Sequence, residues 1–154
     1  MPSAAMRVDL VEWTQGEPAI RLIRETVFVR EQGVPRDLEW DGLDRSCWHV
    51  LAWNDRGEPI GTGRLCQEGK QARLGRMAVL QEYRRQGVGR ALLRALLGLA
   101  QARGMGNVYL AAQVPAIRFY EKQGFRVSGE IFDDAGIPHR PMTLVLSQAP
   151  GEWR

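Results

Sequence analysis

Apolar positions recur at two different periods along this chain, and the switches between them mark its elements. Met6 to Trp13 alternates loosely and predicts a first strand, after which Thr14 with Glu17 offers a capping box. From Glu17 to Arg30, Ile20, Ile23 and Val27 recur at three and four residues, with Arg21, Arg24 and Glu25 on other faces, as in an amphipathic helix. The stretch from Phe28 to Pro35 ends it: Gly33 can take a left-handed cap, and Pro35 discourages helix at Val34. Cys47 to Trp53 is rich in strand formers, and Asn54-Asp-Arg-Gly57 supplies a turn before a second run, Pro59 to Gln67. Gly69-Lys70 marks another turn, and Gln71 to Leu80 completes a three-stranded antiparallel meander.

The second half has a different rhythm. Val88 to Arg103 predicts a helix that is apolar over most of its circumference, with Arg90, Arg94 and Gln101 on one narrow polar stripe. Gly104 and Gly106 end it, and Asn107 to Ala112 is short and apolar, as a buried parallel strand would be. Strand, helix and strand in this order predict a right-handed crossover. A further helix opens at Pro115 and closes at Gly124. Phe125 to Phe132 then reads as a strand, Asp133 to Gly136 as a turn, Pro141 to Ser147 as the closing strand, and the chain from Gln148 as a frayed tail. There is no internal repeat, low-complexity segment or linker, so residues 1–154 are expected to form one domain.

Composition narrows the class without identifying it. Hydrophobic content of 44% and charged content of 25% are ordinary for a soluble globular protein. A net charge of +3 is too small a surplus to imply nucleic-acid binding, and the arginines cluster at one turn rather than over a face with aromatics. No apolar run approaches the roughly 18 residues of a membrane span, and Met1 to Val11 lacks a signal-peptide core. Cys47 and Cys66 form no C-x-x-C pair, which suits a reducing compartment and argues against a disulfide scaffold. The expectation is a cytoplasmic protein with neither nucleic-acid nor membrane partners. Cys47, His49, Cys66 and His139 are zinc-ligand types, but Cys47-x-His49 has no close second pair, so no metal site is expected.

One stretch carries chemistry. Between the third meander strand and the long helix lies Arg84-Arg-Gln-Gly-Val-Gly-Arg90. Gly87 and Gly89 lack Cβ atoms, so backbone N–H groups there can approach a bulky anion closely. The first N–H groups of the helix have no intrahelical acceptor, and its dipole puts about half a positive charge at that end. Arg84, Arg85 and Arg90 add full charges suited to phosphate oxygens. No Gly-x-x-x-x-Gly-Lys-Ser/Thr run exists, which excludes a P-loop. A dinucleotide fingerprint needs a third small residue where Leu92 stands.

What fits is Arg84-x-x-Gly87-x-Gly89 between a strand and a helix, which resembles the acetyl-CoA pyrophosphate loop of the GNAT N-acetyltransferase superfamily. Ala116-x-x-Phe119-Tyr120-x-x-x-Gly124-Phe125 is similar to that family's second signature, and the element order matches over nearly the whole chain. The segment Gly129 to His139, containing Gly-Ile-Pro-His, resembles a bacterial subgroup with poorly defined acceptors. The resemblance implies an α/β fold: a mixed, mostly antiparallel central sheet with a splayed parallel pair and helices on both faces. It implies that Met77, Ala78 and Val79 offer main-chain groups to the pantetheine arm and acetyl carbonyl. Arg84, Arg85, Gln86, Gly87, Val88, Gly89 and Arg90 would wrap the pyrophosphate. A family Asn at the end of the strand after the long helix is replaced near Ala112-Gln113, where Gln113 is the available substitute. A homodimer is a reasonable expectation for this family.

Acetyl transfer to an amine needs a neutral amine, a stabilised oxyanion and a proton for the leaving thiolate. A lysine-like amine of pKa about 10.4 costs roughly 4 to 5 kcal/mol to deprotonate at neutral pH, so a base or a desolvating site is expected. Glu130 and His139 are the preferred candidates, with His49, Glu31, Glu39 and Asp41 behind them. For His139 a local structural hydrogen bond competes with an acceptor-site role, and for His49 a structural role is favoured. Tyr120 matches the family's usual general acid; the alternative is a core aromatic with its hydroxyl at a boundary. Asp37, Glu39, Asp41 and Asp44 around Trp40 read either as a cation-binding wall or, preferably, as solvated turn acids. The expected activity is acetyl transfer from acetyl-CoA to an amine of a small molecule or peptide by direct attack, since neither cysteine has a nucleophile signature. The alternative is a non-catalytic acyl-CoA-binding sensor.

Overall fold

The computed structural model describes residues 6–146; Ser147 and the tail expected to fray lie outside the described residues. The chain runs β1 (Arg7–Val11), α1 (Trp13–Arg24), a π-helical turn (Glu25–Glu31), the short α2 (Arg36–Glu39), β2 (Trp48–Trp53), β3 (Pro59–Glu68) and β4 (Gln71–Val79). It continues with α3 (Val88–Ala102), β5 (Asn107–Gln113), α4 (Ile117–Lys122), β6 (Arg126–Val127), β7 (Phe132–Asp134) and β8 (Ile137–Val145). The strands form one sheet in the order β1-β2-β3-β4-β5-β8-β6, with β7 also on β8. Every pairing is antiparallel except β4 with β5.

Alternation along the central strands divides the core between the two faces of this sheet. Val50 and Ala52 join α3 residues Leu92, Leu93 and Leu96 in one cluster, which α4 completes with Tyr120. Leu51 points the other way, into a cluster with Trp13, Ile20, Ile23, Val27 and Phe28 of the first helix. The expected helices on both faces are present. Among the described residues no helix is long and apolar enough to cross a membrane.

Three local expectations are corrected. The first helix starts at Trp13, and its N-cap, Glu12, makes no side-chain cap bond, so the Thr14/Glu17 capping box is not used. Its last turn widens to the π form, with the Gln32 N–H reaching Val27 O, five residues back, at 3.0 Å. Gly33 (φ +74°) closes it as expected, the Val34 N–H bonding Phe28 O at 2.9 Å. The strand expected over Phe125 to Phe132 is broken: it pairs with β8 at Arg126 and Val127 and again only at Phe132, the first residue of β7. The Ser128 N–H bonds Pro141 O, but Pro141 has no N–H to return, and the ladder stops there.

Cys47 and Cys66 form a disulfide, against the expectation that the cysteine usage suits a reducing compartment. Trp48 pairs with Leu65 in the β2–β3 ladder, so the next positions outward, Cys47 and Cys66, face each other with Cα atoms 4.5 Å apart. That is the spacing of a non-hydrogen-bonded antiparallel pair.

Candidate active site

The site is built where β4 and β5 separate. They pair only over Gln71–Arg73 and Asn107–Tyr109, after which β4 runs to Val79 and β5 to Gln113 without partnering each other. A bulge opposite Gly63 helps β4 leave: the register shifts between Thr62 and Arg64, and Arg76 takes φ +53°. The opening is a cleft of about 520 Å³, lined among others by Met77, Gln113, Tyr120 and His139.

At the open end of the V, Leu80 N–H bonds Ile60 O at 2.9 Å, which makes Gly61 and Val79 a non-hydrogen-bonded pair. The N–H and C=O of Val79 therefore turn away from β3, toward the side from which β5 has diverged. Beyond them the chain coils through Arg84 (extended), Arg85 (φ +64°) and Gly87 (φ +87°) into α3. The first helical bond is Ala91 N–H to Gly87 O. None of the six N–H groups from Arg85 to Arg90 donates to an acceptor among the described residues. Converging free amides at a helix start form an anion nest. Arg85 and Arg90 are exposed in the same turn, whereas the Arg84 guanidinium is engaged elsewhere. It donates from Nε to Val79 O at 2.8 Å and forks onto Glu31 with two bonds of 2.7 Å. That fork holds the Glu31 carboxyl below its ordinary pKa.

Tyr120 lies on α4 with its ring nearly perpendicular to Phe119 and Phe125, at centroid distances of 5.0 and 5.8 Å. Burial pushes its phenol pKa up, so the hydroxyl keeps its proton at neutral pH. His139, on β8 opposite Gln113 of β5, stacks on Phe132, and its Nδ1 lies 2.7 Å from Ile137 O. A carbonyl only accepts, so Nδ1 carries the hydrogen and the neutral ring keeps a lone pair on Nε2. Glu130 is not brought to this place. It is exposed in the segment after β6 and does not line the cleft.

Of the acids around Trp40, Asp37 is solvated as expected, while the other three form neither a cation wall nor a set of unpaired turn residues. Glu39, Asp41 and Asp44 alternate with Arg24, Arg64 and Arg76 in a closed ring of six charges. Arg24 meets Glu39 and Asp44 at 2.7 Å each, Arg64 meets Asp44 at 3.1 and Asp41 at 2.9 Å, and Arg76 meets Asp41 and Glu39 at 3.2 Å. Burial opposes the charge on Asp41, but the Arg64 fork and the Leu43 N–H hold its pKa down to about 2. Burial dominates at Glu39 and raises its pKa against the pull of Arg76 and Arg24. His49 completes the layer: it is buried with Nε2 2.8 Å from Asp44 O, and burial lowers its pKa, so it is a neutral structural residue. Sequence reasoning missed this ring because its arginines come from three distant segments. The signal available was three arginines inside otherwise apolar elements.

A mixed sheet opened between one parallel pair, with a nest of free amides at the helix that follows, defines an acyltransferase architecture. The chain belongs to the acetyltransferase (GNAT) family, whose profile matches residues 9–125. It is 40% identical over 121 residues to YjcF of Bacillus subtilis (strain 168), described as an uncharacterized N-acetyltransferase, covering 78% of this chain and 86% of that one. An acyl-CoA N-acyltransferase from Pseudomonas aeruginosa superposes with a TM-score of 0.81 at 29% identity, covering 91% of this chain and 99% of that one. The PaiA N-acetyltransferase from Thermoplasma acidophilum, solved in complex with coenzyme A, shares the fold with a TM-score of 0.70 at 18% identity, covering 93% and 100%.

Proposed function

We propose that this protein transfers the acetyl group of acetyl-CoA directly to a primary amine, with no acyl-enzyme intermediate. The observation that carries the reading is the run of six unpartnered amides from Arg85 to Arg90 beside the splayed strands. That nest suits a diphosphate, and the strand edge at Met77, Ala78 and Val79 suits an amide-bearing arm that pairs as a β-strand would. Arg84 only leads into the nest, its own N–H being bonded to Gln81 O, while Arg85 and Arg90 contribute through their guanidiniums and Gln86, Gly87, Val88 and Gly89 through their amides. Acetyl-CoA supplies the activated acyl group and a thiol leaving group. The Val79 N–H stabilises charge on the carbonyl oxygen. His139 Nε2 takes the proton of the amine, and the Tyr120 hydroxyl gives one to the departing sulfur. The disulfide leaves no thiol free for an acyl-enzyme among the described residues.

Saturating acetyl-CoA, at about 100 times its dissociation constant, stabilises a one-site protein by about 2.7 kcal/mol. For a chain of this size the melting temperature should rise by about 5 to 10 °C, and neither ATP nor NAD should reproduce the rise. Thiol release is then measured with 2-phenylethylamine, spermidine and a lysine-containing tripeptide. Release that depends on the amine supports transfer. Absence of the thermal shift overturns the cofactor assignment.

A further inference from the structure

Two consecutive residues at the end of the first helix grip the two strands that form the cleft. Glu31 takes the bidentate fork of Arg84, whose Nε is bonded to the C=O of Val79, the last residue of β4. Gln32 accepts a 2.8 Å bond from Nε2 of Gln113, the last residue of β5. The strands have no ladder bonds to each other beyond Arg73 and Tyr109. The contact through residues 31 and 32 therefore spans the open end of the V. The π-helical turn is part of this arrangement: an extra residue per turn retards the helical rotation, so neighbouring side chains at its end can serve two targets.

We propose that Glu31 and Gln32 act as a strap that sets the width of the cleft, and that Arg84 is its buckle rather than a diphosphate ligand. The proposal rests on the acetyl-transfer reading of the site. On one side the strap holds the Val79 peptide, the last of the β4 edge assigned to the thioester. On the other it holds Gln113, the direct cross-strand partner of His139. Fixing both ends fixes the distance from the acyl carbon to the base, and a small change in that spacing costs catalysis steeply. Glu31, Gln32 and Arg84 are thus positioning residues. Because Arg84 also begins the anion loop, filling the loop and fastening the strap involve the same segment of chain.

The test compares the full-length wild type with Glu31→Gln, Gln32→Ala, Arg84→Gln and the Glu31→Gln/Arg84→Gln double variant. Amide hydrogen exchange over residues 28–34 and 110–113 should accelerate about tenfold in each variant, while the β2–β3 hairpin keeps its protection. The acetyl-CoA dissociation constant, measured by calorimetry, should stay within about threefold. Turnover of the best amine of the panel above should fall about tenfold in kcat, and the double variant should be no worse than either single one. The proposal is overturned if Arg84→Gln weakens acetyl-CoA tenfold or more while Glu31→Gln leaves exchange unchanged, since Arg84 would then serve the diphosphate. Accelerated exchange throughout the sheet also overturns it, because the pair would then be a general structural tie. A wild type that binds no acetyl-CoA fails the cofactor reading instead, and leaves the exchange comparison to decide whether the strap exists.

Discussion

Tyr120 lines the cleft, its hydroxyl has no hydrogen-bond partner among the described residues, and its ring is wedged between Phe119 and Phe125. A phenol placed for packing alone would lose nothing when its oxygen is removed. Tyr120→Phe keeps the ring and its edge contacts, so the melting temperature should stay within about 2 °C and acetyl-CoA affinity within about twofold. If the hydroxyl protonates the leaving sulfur, kcat falls about a hundredfold, the lower range for a general acid. Steady-state kinetics beside calorimetry decide it: unchanged kcat returns the residue to the core. Both readings of Tyr120 were open from the A-x-x-F-Y spacing alone. Glu130, an equally plausible base from its residue type, lies exposed after β6 and outside the cleft lining, whereas His139 lines it.

The turn into α3 separates two uses of glycine. Gly87 sits at φ +87° with open space where a Cβ would be, so its requirement is conformational. An alanine there costs about 1 to 2 kcal/mol in the left-handed region and tilts the amides that follow. Gly89 is within the helix, and an added Cβ would make an ordinary contact 3.5 Å from Phe119. Gly89→Ala should therefore stabilise the free protein by up to about 1 kcal/mol through helix propensity. If a diphosphate is held against that backbone, the same methyl weakens acetyl-CoA about tenfold. Opposite signs in thermal melts without ligand, and losses of affinity in both variants, are the expected pattern; undiminished affinity in Gly89→Ala would mean the helix start is not a binding surface. This loop was legible because its chemistry is local: adjacent arginines and glycines do the work in the order in which they are written. The meander, the long apolar helix and the buried parallel strand were legible for the same reason. The π turn, the disulfide and the charge ring were not, since each depends on register or on which faces meet. Counting the β2–β3 register outward from its turn would have set Cys47 opposite Leu65, because a bulge between Ala52 and Trp53 shifts the ladder by one residue and so brings Cys47 to Cys66.

Across the molecule, the layer of Arg24, Arg64, Arg76, Glu39, Asp41, Asp44 and neutral His49, buried except at Arg76 and Asp41, joins the first helix, the acidic loop and three strands, and it should govern the response to acid. His49 has a folded pKa below its ordinary 6.5, so as pH falls through that value the unfolded chain takes up a proton that the folded chain refuses, and stability declines. Asp41, held at about 2 against 3.8, and Asp44, also lowered, contribute stability that is present above their ordinary values and lost as pH falls from about 4 toward 2. Glu39 is shifted the other way, so the folded chain takes up its proton first and offsets part of the loss between its raised value and 4.5. The melting temperature should thus fall in two stages, one beginning near pH 6.5 and one below about pH 4. His49→Gln can keep a donor to Asp44 O but cannot titrate, and it should flatten the first stage alone. An identical slope between pH 7.5 and 5 in both proteins would show that the first loss arises elsewhere. The ring itself is tested by Arg64→Met, which takes the fork from the partly exposed Asp41 and one of two arginines from the buried Asp44, and should cost about 1 to 3 kcal/mol at neutral pH, the usual consequence of removing one partner of a hydrogen-bonded charge. The deficit should shrink below pH 4, where the stranded carboxyl can protonate; a deficit independent of pH would assign the loss to packing of the Arg64 stem instead.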